Sequence, residues 1–329
     1  MNKQSRPKLF AVCFVKNEED IIADCLRHAA RFCDRIYVVD NASTDRTWEI
    51  VKDLDLAPVV PVGSKDFIYR EYLRIWFMGL KERELGRNNW WYILDADMLL
   101  DGDPLGAIAQ AEKEGADAIA VNVINFHITK EEIIAAAQSG RRESWRDRRY
   151  YGLYESGEID LFKNTGYLDY GLCARVPLGL TKECSLRLPS RHYPHRFGEQ
   201  LKKRILTRSE NPDFEPQLKR GTEWEHYLID PATSPGIKCL NAASKEIDFT
   251  GGFSYVVPPI GRYGRSRIFA TVVRALYPLG LLPLFYAFYN RYAFWRQKIE
   301  PREKDIFLST FRDRPRGASG PRSTSKLVV

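Results

Sequence analysis

The sequence has no Cys-x-x-Cys pair, no glycine-rich turn after its first apolar segment, and no uncharged run as long as the ~20 residues of a membrane-spanning helix. Each absence removes a class. The six cysteines (Cys13, Cys25, Cys33, Cys173, Cys184, Cys239) show no zinc-ligand spacing, and several lie in apolar contexts where a thiol acts as a small hydrophobe. The opening residues do not read as a signal peptide, and with unpaired cysteines this predicts a reducing, cytoplasmic compartment. The turn after the first apolar segment is Lys16-Asn17-Glu18-Glu19, acidic where a triphosphate cradle would place glycines. Histidine is scarce too, five in 329 residues, so the pair His192 and His195 stands out.

What is present is an ordinary globular composition, 44% hydrophobic and 28% charged, with length for one large core or one domain and an extension. The net charge of +7 suits an anionic partner, whether nucleotide, phospholipid surface or nucleic acid. It is concentrated in residues 141–149, in Lys202-Lys203-Arg204 and in the final tail.

Along residues 8–124 apolar strand-like runs alternate with helix-like ones. Strands are expected at 8–15, 35–39, 57–62, 89–94 and 116–124, and helices from Ile21, from near Thr44, over 69–85 and over 104–113. Such alternation builds βαβ units and a largely parallel sheet, with ligands at the carboxyl ends of the strands. Three loops leave those ends, at residues 16–19, 40–45 and 95–97, and all three are acidic or polar. Asp95 and Asp97, one residue apart after a buried strand, face the same way and repel unless a cation or a shared proton intervenes. Asp-x-Asp also occurs as loop or capping chemistry; the convergence of three loops is what favours a site. Asp45 is expected mainly as a helix cap, and Asp101 and Asp103, before Pro104, as a helix start.

These blocks, Val12 to Glu18, Tyr37 to Asp45 and Leu94 to Asp97, resemble the successive signatures of family 2 glycosyltransferases; Arg191-His192-Tyr193-Pro194-His195-Arg196, with Gln200 and Lys203, is similar to a late element in a bacterial branch. The resemblance implies an α/β GT-A (Rossmann-like) fold, mostly parallel and flanked by helices. It also implies a nucleotide-sugar donor, a Mn²⁺ or Mg²⁺ cofactor, and an inverting transfer to a glycan or lipid-linked hydroxyl acceptor. It places Glu18, Asp40, Asn41, Asp95, Arg196 and Lys203 at the nucleotide and its diphosphate, and Asp95, Asp97 and His192 at the metal. Met98 stands where many relatives carry a further acid. Inversion needs a base on the acceptor side, expected from Asp160, Asp169 or Glu183, with Asp169 and Glu183 first.

Domains are expected at 1–245 (catalytic), 246–310 (helical, packed or peripheral on the cytoplasmic membrane face) and 311–329 (a disordered basic tail). Two other functions compete. A basic nucleic-acid or membrane-binding protein would place cations, not acids, at the strand ends, so nucleic acid is not expected as a partner. A sugar-nucleotide nucleotidyltransferase would need the missing glycine-rich loop.

Overall fold

The first strand, β1 (Leu9–Val15), is apolar throughout and buried along almost all its length, as only a strand covered on both faces can be. In the computed structural model, which describes residues 6–140, 144–171, 175–209, 224–241, 246–255, 267–297, 299 and 301–311, β1 lies inside a sheet. It pairs in parallel with β2 (Arg35–Asp40) on one side and β4 (Trp90–Asp95) on the other, and β3 (Val59–Ser64) adds to β2 in the same sense. The register sets Val15 opposite Asp40 and Phe14 opposite Asp95, so the carboxyl ends of three strands finish level.

Beyond β4 the sheet becomes mixed. The long strand β7 (Tyr150–Lys163) runs antiparallel to β4 and to β6 (Ala118–His127). Next come β8 (Leu188–His192), parallel to β6, and at the edge β5 (Met98–Leu100), antiparallel to β8. Two short strands, β9 (Ile237–Cys239) and β10 (Ser254–Tyr255), also pair with β7. The α/β architecture expected for a GT-A-like sheet is therefore present, with parallel pairing concentrated in its first four strands.

Side chains of β1 alternate between two cores, as strand geometry requires. Leu9, Ala11, Cys13 and Val15 meet Ile22, Cys25, Leu26 and Ala29 of α1 (Ile22–Ala29). Phe10 and Val12 face Leu73, Trp76 and Phe77 of α3 (Glu71–Leu85). Helix α2 (Thr47–Asp53) starts three residues after Thr44 because Asp45 accepts from the Thr47 N–H and hydroxyl, at 2.9 and 2.5 Å, and so holds the preceding turn open. Strand β3 is displaced two residues from its expected place, ending where the Ser64 hydroxyl donates to Asp40. Asp103 caps α4 (Pro104–Glu114) by accepting the Gly106 N–H at 2.9 Å, with Pro104 in the first turn.

The sheet continues past residue 245 through β10, and helices follow: α7 (Arg267–Leu276), α8 (Leu282–Gln297) and α9 (Pro301–Phe311). Two further helices, α5 (Lys130–Ser139) and α6 (Gly198–Ser209), complete the numbering. No helix among the described residues is long and apolar enough to cross a membrane. Of the expected disordered tail at 311–329, Phe311 is instead a buried residue of α9 and the rest lies outside the described residues, as does Cys173. The thiols of Cys13, Cys25, Cys33 and Cys184 are buried and unpaired.

Helix α9 closes the α3 side with aromatic rings. Phe307 packs edge-on against Phe67 at 5.6 Å between centroids, and Phe311 against Phe77 at 5.9 Å. Truncating Phe307, which is buried, is expected to cost about 3 kcal/mol. Urea unfolding of Phe307→Ala should show the midpoint falling with the slope unchanged; no shift would mean that α9 does not belong to the cooperative core.

Candidate active site

The level strand ends open into a cleft of about 730 Å³. The loops after β1 and β2 are tied together before any ligand arrives. Asn17, at φ 56°, accepts the Thr44 N–H on its amide oxygen at 2.7 Å, and the Asn17 N–H donates to Ser43 Oγ at 2.9 Å. The Glu18 N–H donates to Thr47 Oγ1 at 2.7 Å and the Glu19 N–H to Asp45 Oδ2 at 3.3 Å. Asn41 accepts the Phe67 N–H at 2.9 Å, which fixes the third side of this wall.

Asp95 and Asp97 end β4 and begin the turn into β5. Arg74, at the start of α3, donates to Asp95 Oδ1 at 2.6 Å, to Glu71 at 3.0 Å and to Tyr69 Oη at 2.6 Å. Arg175 reaches Asp95 Oδ2 at 3.3 Å and Asp160 at 2.8 Å, with Glu158 3.4 Å away. Burial works to raise the Asp95 carboxyl, but Arg74 and Arg175 outweigh it and hold it below its usual value. For Asp97, burial is outweighed by Arg204 and then His192, which keep it well below the carboxylate range.

The antiparallel pairing of Met98 with His192 explains why a histidine almost one hundred residues later meets Asp97. It sets His192 Nε2 3.5 Å from Asp97 Oδ2. Helix α6 supplies the facing wall, because Gln200, Lys203, Arg204 and Thr207 share one helical face. Arg204 Nη1 donates to Asp97 Oδ2 at 2.7 Å and lies 3.6 Å from Glu18.

The expected residues therefore separate. Glu18, Asn41, Asp95, Asp97, His192 and Lys203 line the cleft. Asp40 does not: its buried carboxylate accepts from the Ser43 N–H and hydroxyl, at 3.1 and 2.5 Å, and from Ser64, which makes it a brace for the loop. Arg196 is also a correction. It is fully buried behind the cleft, where it pairs with Glu18 and with Asp20, the latter through Nε at 2.6 Å. Burial pushes the Glu18 carboxyl up to about 7 against the pull of Arg196 and Arg204.

Neither expected base reaches the cleft. Asp169 accepts from the Asn290 amide at 2.6 Å, and Glu183 sits beside the edge of β6, paired with Arg187 at 3.0 Å. Both lie on the long connection between β7 and β8, Asp169 before and Glu183 after the point where it delivers Arg175 to the cleft. The carboxylate that β7 does send to the cleft is Glu158. Asp160, two residues on, is buried beneath Arg175; burial pushes its carboxyl up to about 6 against that guanidinium. Arg175, Glu71 and Glu158 carried no motif, and only the tertiary fold brings them together.

A hard cation finds two protein donors here, the Asp97 carboxylate and the His192 imidazole, close enough to share one coordination sphere and with Asp97 ionised. Asp95 is committed to arginines, and no group of three or more His, Cys, Asp or Glu side chains among the described residues is placed to hold a metal. Two donors fit Mn²⁺ or Mg²⁺ when phosphate oxygens and water complete the sphere.

The profile of the family described as "Glycosyl transferase family 2" matches residues 11–67. Among solved structures, mannosyl-3-phosphoglycerate synthase from Rubrobacter xylanophilus is 18% identical over 39% of this chain and 42% of its own, with a TM-score of 0.25. Glucosyl-3-phosphoglycerate synthase from Mycobacterium tuberculosis, in complex with phosphoglyceric acid, is 17% identical over 40% of this chain and 48% of its own, with a TM-score of 0.23. Mannose-6-phosphate isomerase from Helicobacter pylori is 13% identical over 48% and 71%, with a TM-score of 0.26. The chain spans less than half the length of the two synthases. No curated protein matches it. The matched stretch runs from β1 to Phe67 and holds Glu18, Asn41 and Asp45 of the cleft wall, so it is in this part that the chain is similar to glycosyl transferase family 2.

Proposed function

We propose that the chain transfers a sugar from a nucleoside-diphosphate sugar to a hydroxyl of a glycan or lipid-linked acceptor, with inversion at the anomeric carbon. The observation that carries this reading is the charge of the cleft. Its lining holds ten Asp and Glu side chains against five of Lys and Arg, in a protein whose net charge is +7. An acid-rich pocket repels a bare diphosphate and accepts one that arrives with a divalent cation. The same acids speak against a polyanionic nucleic acid as partner.

In this reading Asp97 and His192 hold Mn²⁺ or Mg²⁺, which when bound supplies positive charge to the departing diphosphate. Asn41 and Glu18 stand where base and ribose groups of the nucleotide would meet amide and carboxylate acceptors. Lys203 and Arg204, on the facing helix, stabilise the leaving phosphates, and Arg204 turns from Asp97 toward them. Glu158 is the base, taking the acceptor hydroxyl's proton as that oxygen attacks. Arg175, which touches Asp95 and lies within ion-pair reach of Glu158, orients both.

Two measurements test this. Titration calorimetry should show UDP or GDP binding wild type in the presence of Mn²⁺ and losing at least about ten-fold in affinity with EDTA or in Asp97→Ala, the scale of a lost metal contact. Binding indifferent to both would overturn the reading. Glu158→Gln should keep metal-dependent nucleotide binding while transfer to acceptor falls by about 10²–10⁴-fold, the range for loss of a general base. Undiminished turnover in that variant would remove Glu158 from the role.

A further inference from the structure

Large hydrophobic side chains are exposed throughout the described residues, but over half of them lie in one place. Tyr277, Leu279, Leu281, Leu284, Phe288 and Tyr292 occupy the α7–α8 hairpin, and its tip and outer face carry the most exposed of all, Leu284 at 71% and Phe288 at 77%. Leu281, Leu284, Phe288 and Tyr292 recur at three- and four-residue steps, which aligns them along one side of α8. The opposite side is the packed one. Leu282 and Tyr286 join Val273 and Leu178 in a small cluster, and Tyr286 Oη donates to the Tyr167 carbonyl at 2.7 Å. The hairpin is thus held by one face and presents the other to its surroundings.

An exposed apolar stripe of this kind fits a second protein as well as a lipid surface, and charge decides between them. Residues 249–299 contain seven Arg and Lys and not one Asp or Glu, in a chain with 43 acids overall. Arg274 and Arg291 lie exposed on the hairpin itself. A protein interface of ordinary composition would not call for the exclusion of every acid from fifty residues. An anionic bilayer does, because each carboxylate near its surface is repelled and each cation attracted. Pro278, Gly280 and Pro283 keep the tip from continuing as helix, so the apolar side chains can enter the headgroup boundary without a span, in agreement with the absence of any membrane-crossing helix among the described residues.

We infer that the α7–α8 hairpin is a monotopic docking element for an anionic phospholipid surface, with Leu284 and Phe288 inserted and Arg274 and Arg291 at the headgroups. This stands apart from the reaction at the cleft and does not depend on it.

The full-length protein is to be co-sedimented with vesicles of phosphatidylcholine alone and with vesicles in which about a third of the lipid is phosphatidylglycerol. Binding is expected to the anionic vesicles only, weakening as salt is raised. The double variant Leu284→Glu, Phe288→Glu should lose binding by at least ten-fold, with its thermal melt and its metal-dependent nucleotide binding unchanged, since both side chains are solvent-exposed. Arg291→Glu should reduce binding by at least about five-fold, the scale of one cation at such a surface. Failure of wild type to bind, equal binding to both vesicle types, or undiminished binding by the double variant would each overturn the inference. So would a concentration-dependent dimer that the double variant dissociates, which would make this face an interface between copies.

Discussion

Carboxylates crowded at the ends of parallel strands repel one another, and the surroundings of this cleft answer that repulsion with guanidinium groups. Arg74 and Arg175 bracket Asp95, Arg204 bonds Asp97, and Arg196 lies buried between Glu18 and Asp20. Those arginines come from α3, from the connection after β7, from the turn between β8 and α6 and from α6 itself, so elements of the second half are fastened to the first by the charges they neutralise. Removing one partner from such a buried pair leaves an uncompensated ion and costs several kcal/mol, more than the pair itself contributes over apolar packing. The network thus acts less as a source of stability than as a fixing of geometry.

That geometry has a chemical consequence. Asp97 is ionised yet shared between Arg204 and His192, so an arriving cation would compete with a guanidinium for the same oxygen. Arg204 sits on a helical face beside Lys203, both able to meet phosphate oxygens once released. Exchange of a guanidinium for a cation at Asp97, and of a carboxylate for phosphate at Arg204, keeps every charge paired. Asp95 differs, because two arginines hold it and neither lies on α6. It reads as a fixed partner of the site, and Asp97 as the exchangeable one.

What the sequence revealed and what it hid divide along the same line. The strand ends, the acidic loops and the capping role of Asp103 were legible because they are set by neighbours within a few residues; Asp45, expected as a cap, lies one residue before the N-cap Arg46 and instead closes a turn onto Thr47. His192 was legible only through resemblance, since its meeting with Asp97 depends on the β5–β8 register. Asp40 carried the right residue type in the right loop, but Ser43 and Ser64 saturate it, and a hydroxyl from β3 cannot be foreseen from local pattern. Asp169 and Glu183 were acids in the right span that the fold pairs with Asn290 and Arg187 outside the cleft. Strand β7, with Gly152, Gly157 and three acids among its residues, lacks the apolar alternation that announces a strand, so Glu158 and its approach to the cleft were hidden with it.

The C-terminal helices show how differently two neighbouring segments satisfy the same hydrophobic demand. Helix α9 buries Phe307 and Phe311 in the aromatic cluster with Phe67 and Phe77, and Phe67 also lines the cleft, so this helix supports the site through one shared ring. The α7–α8 hairpin has comparable apolar content but buries only the side that meets Leu178 and Tyr167. Its outward face is not the remainder of an incomplete core, since Pro278 and Pro283 bound the tip and no acid relieves it. Apolar surface of this extent exposed to water lowers solubility unless something covers it. Charge then distinguishes the two surfaces: the cleft gathers acids, which suit an anion only when a cation comes with it, whereas the hairpin excludes them, which suits an anionic surface met directly.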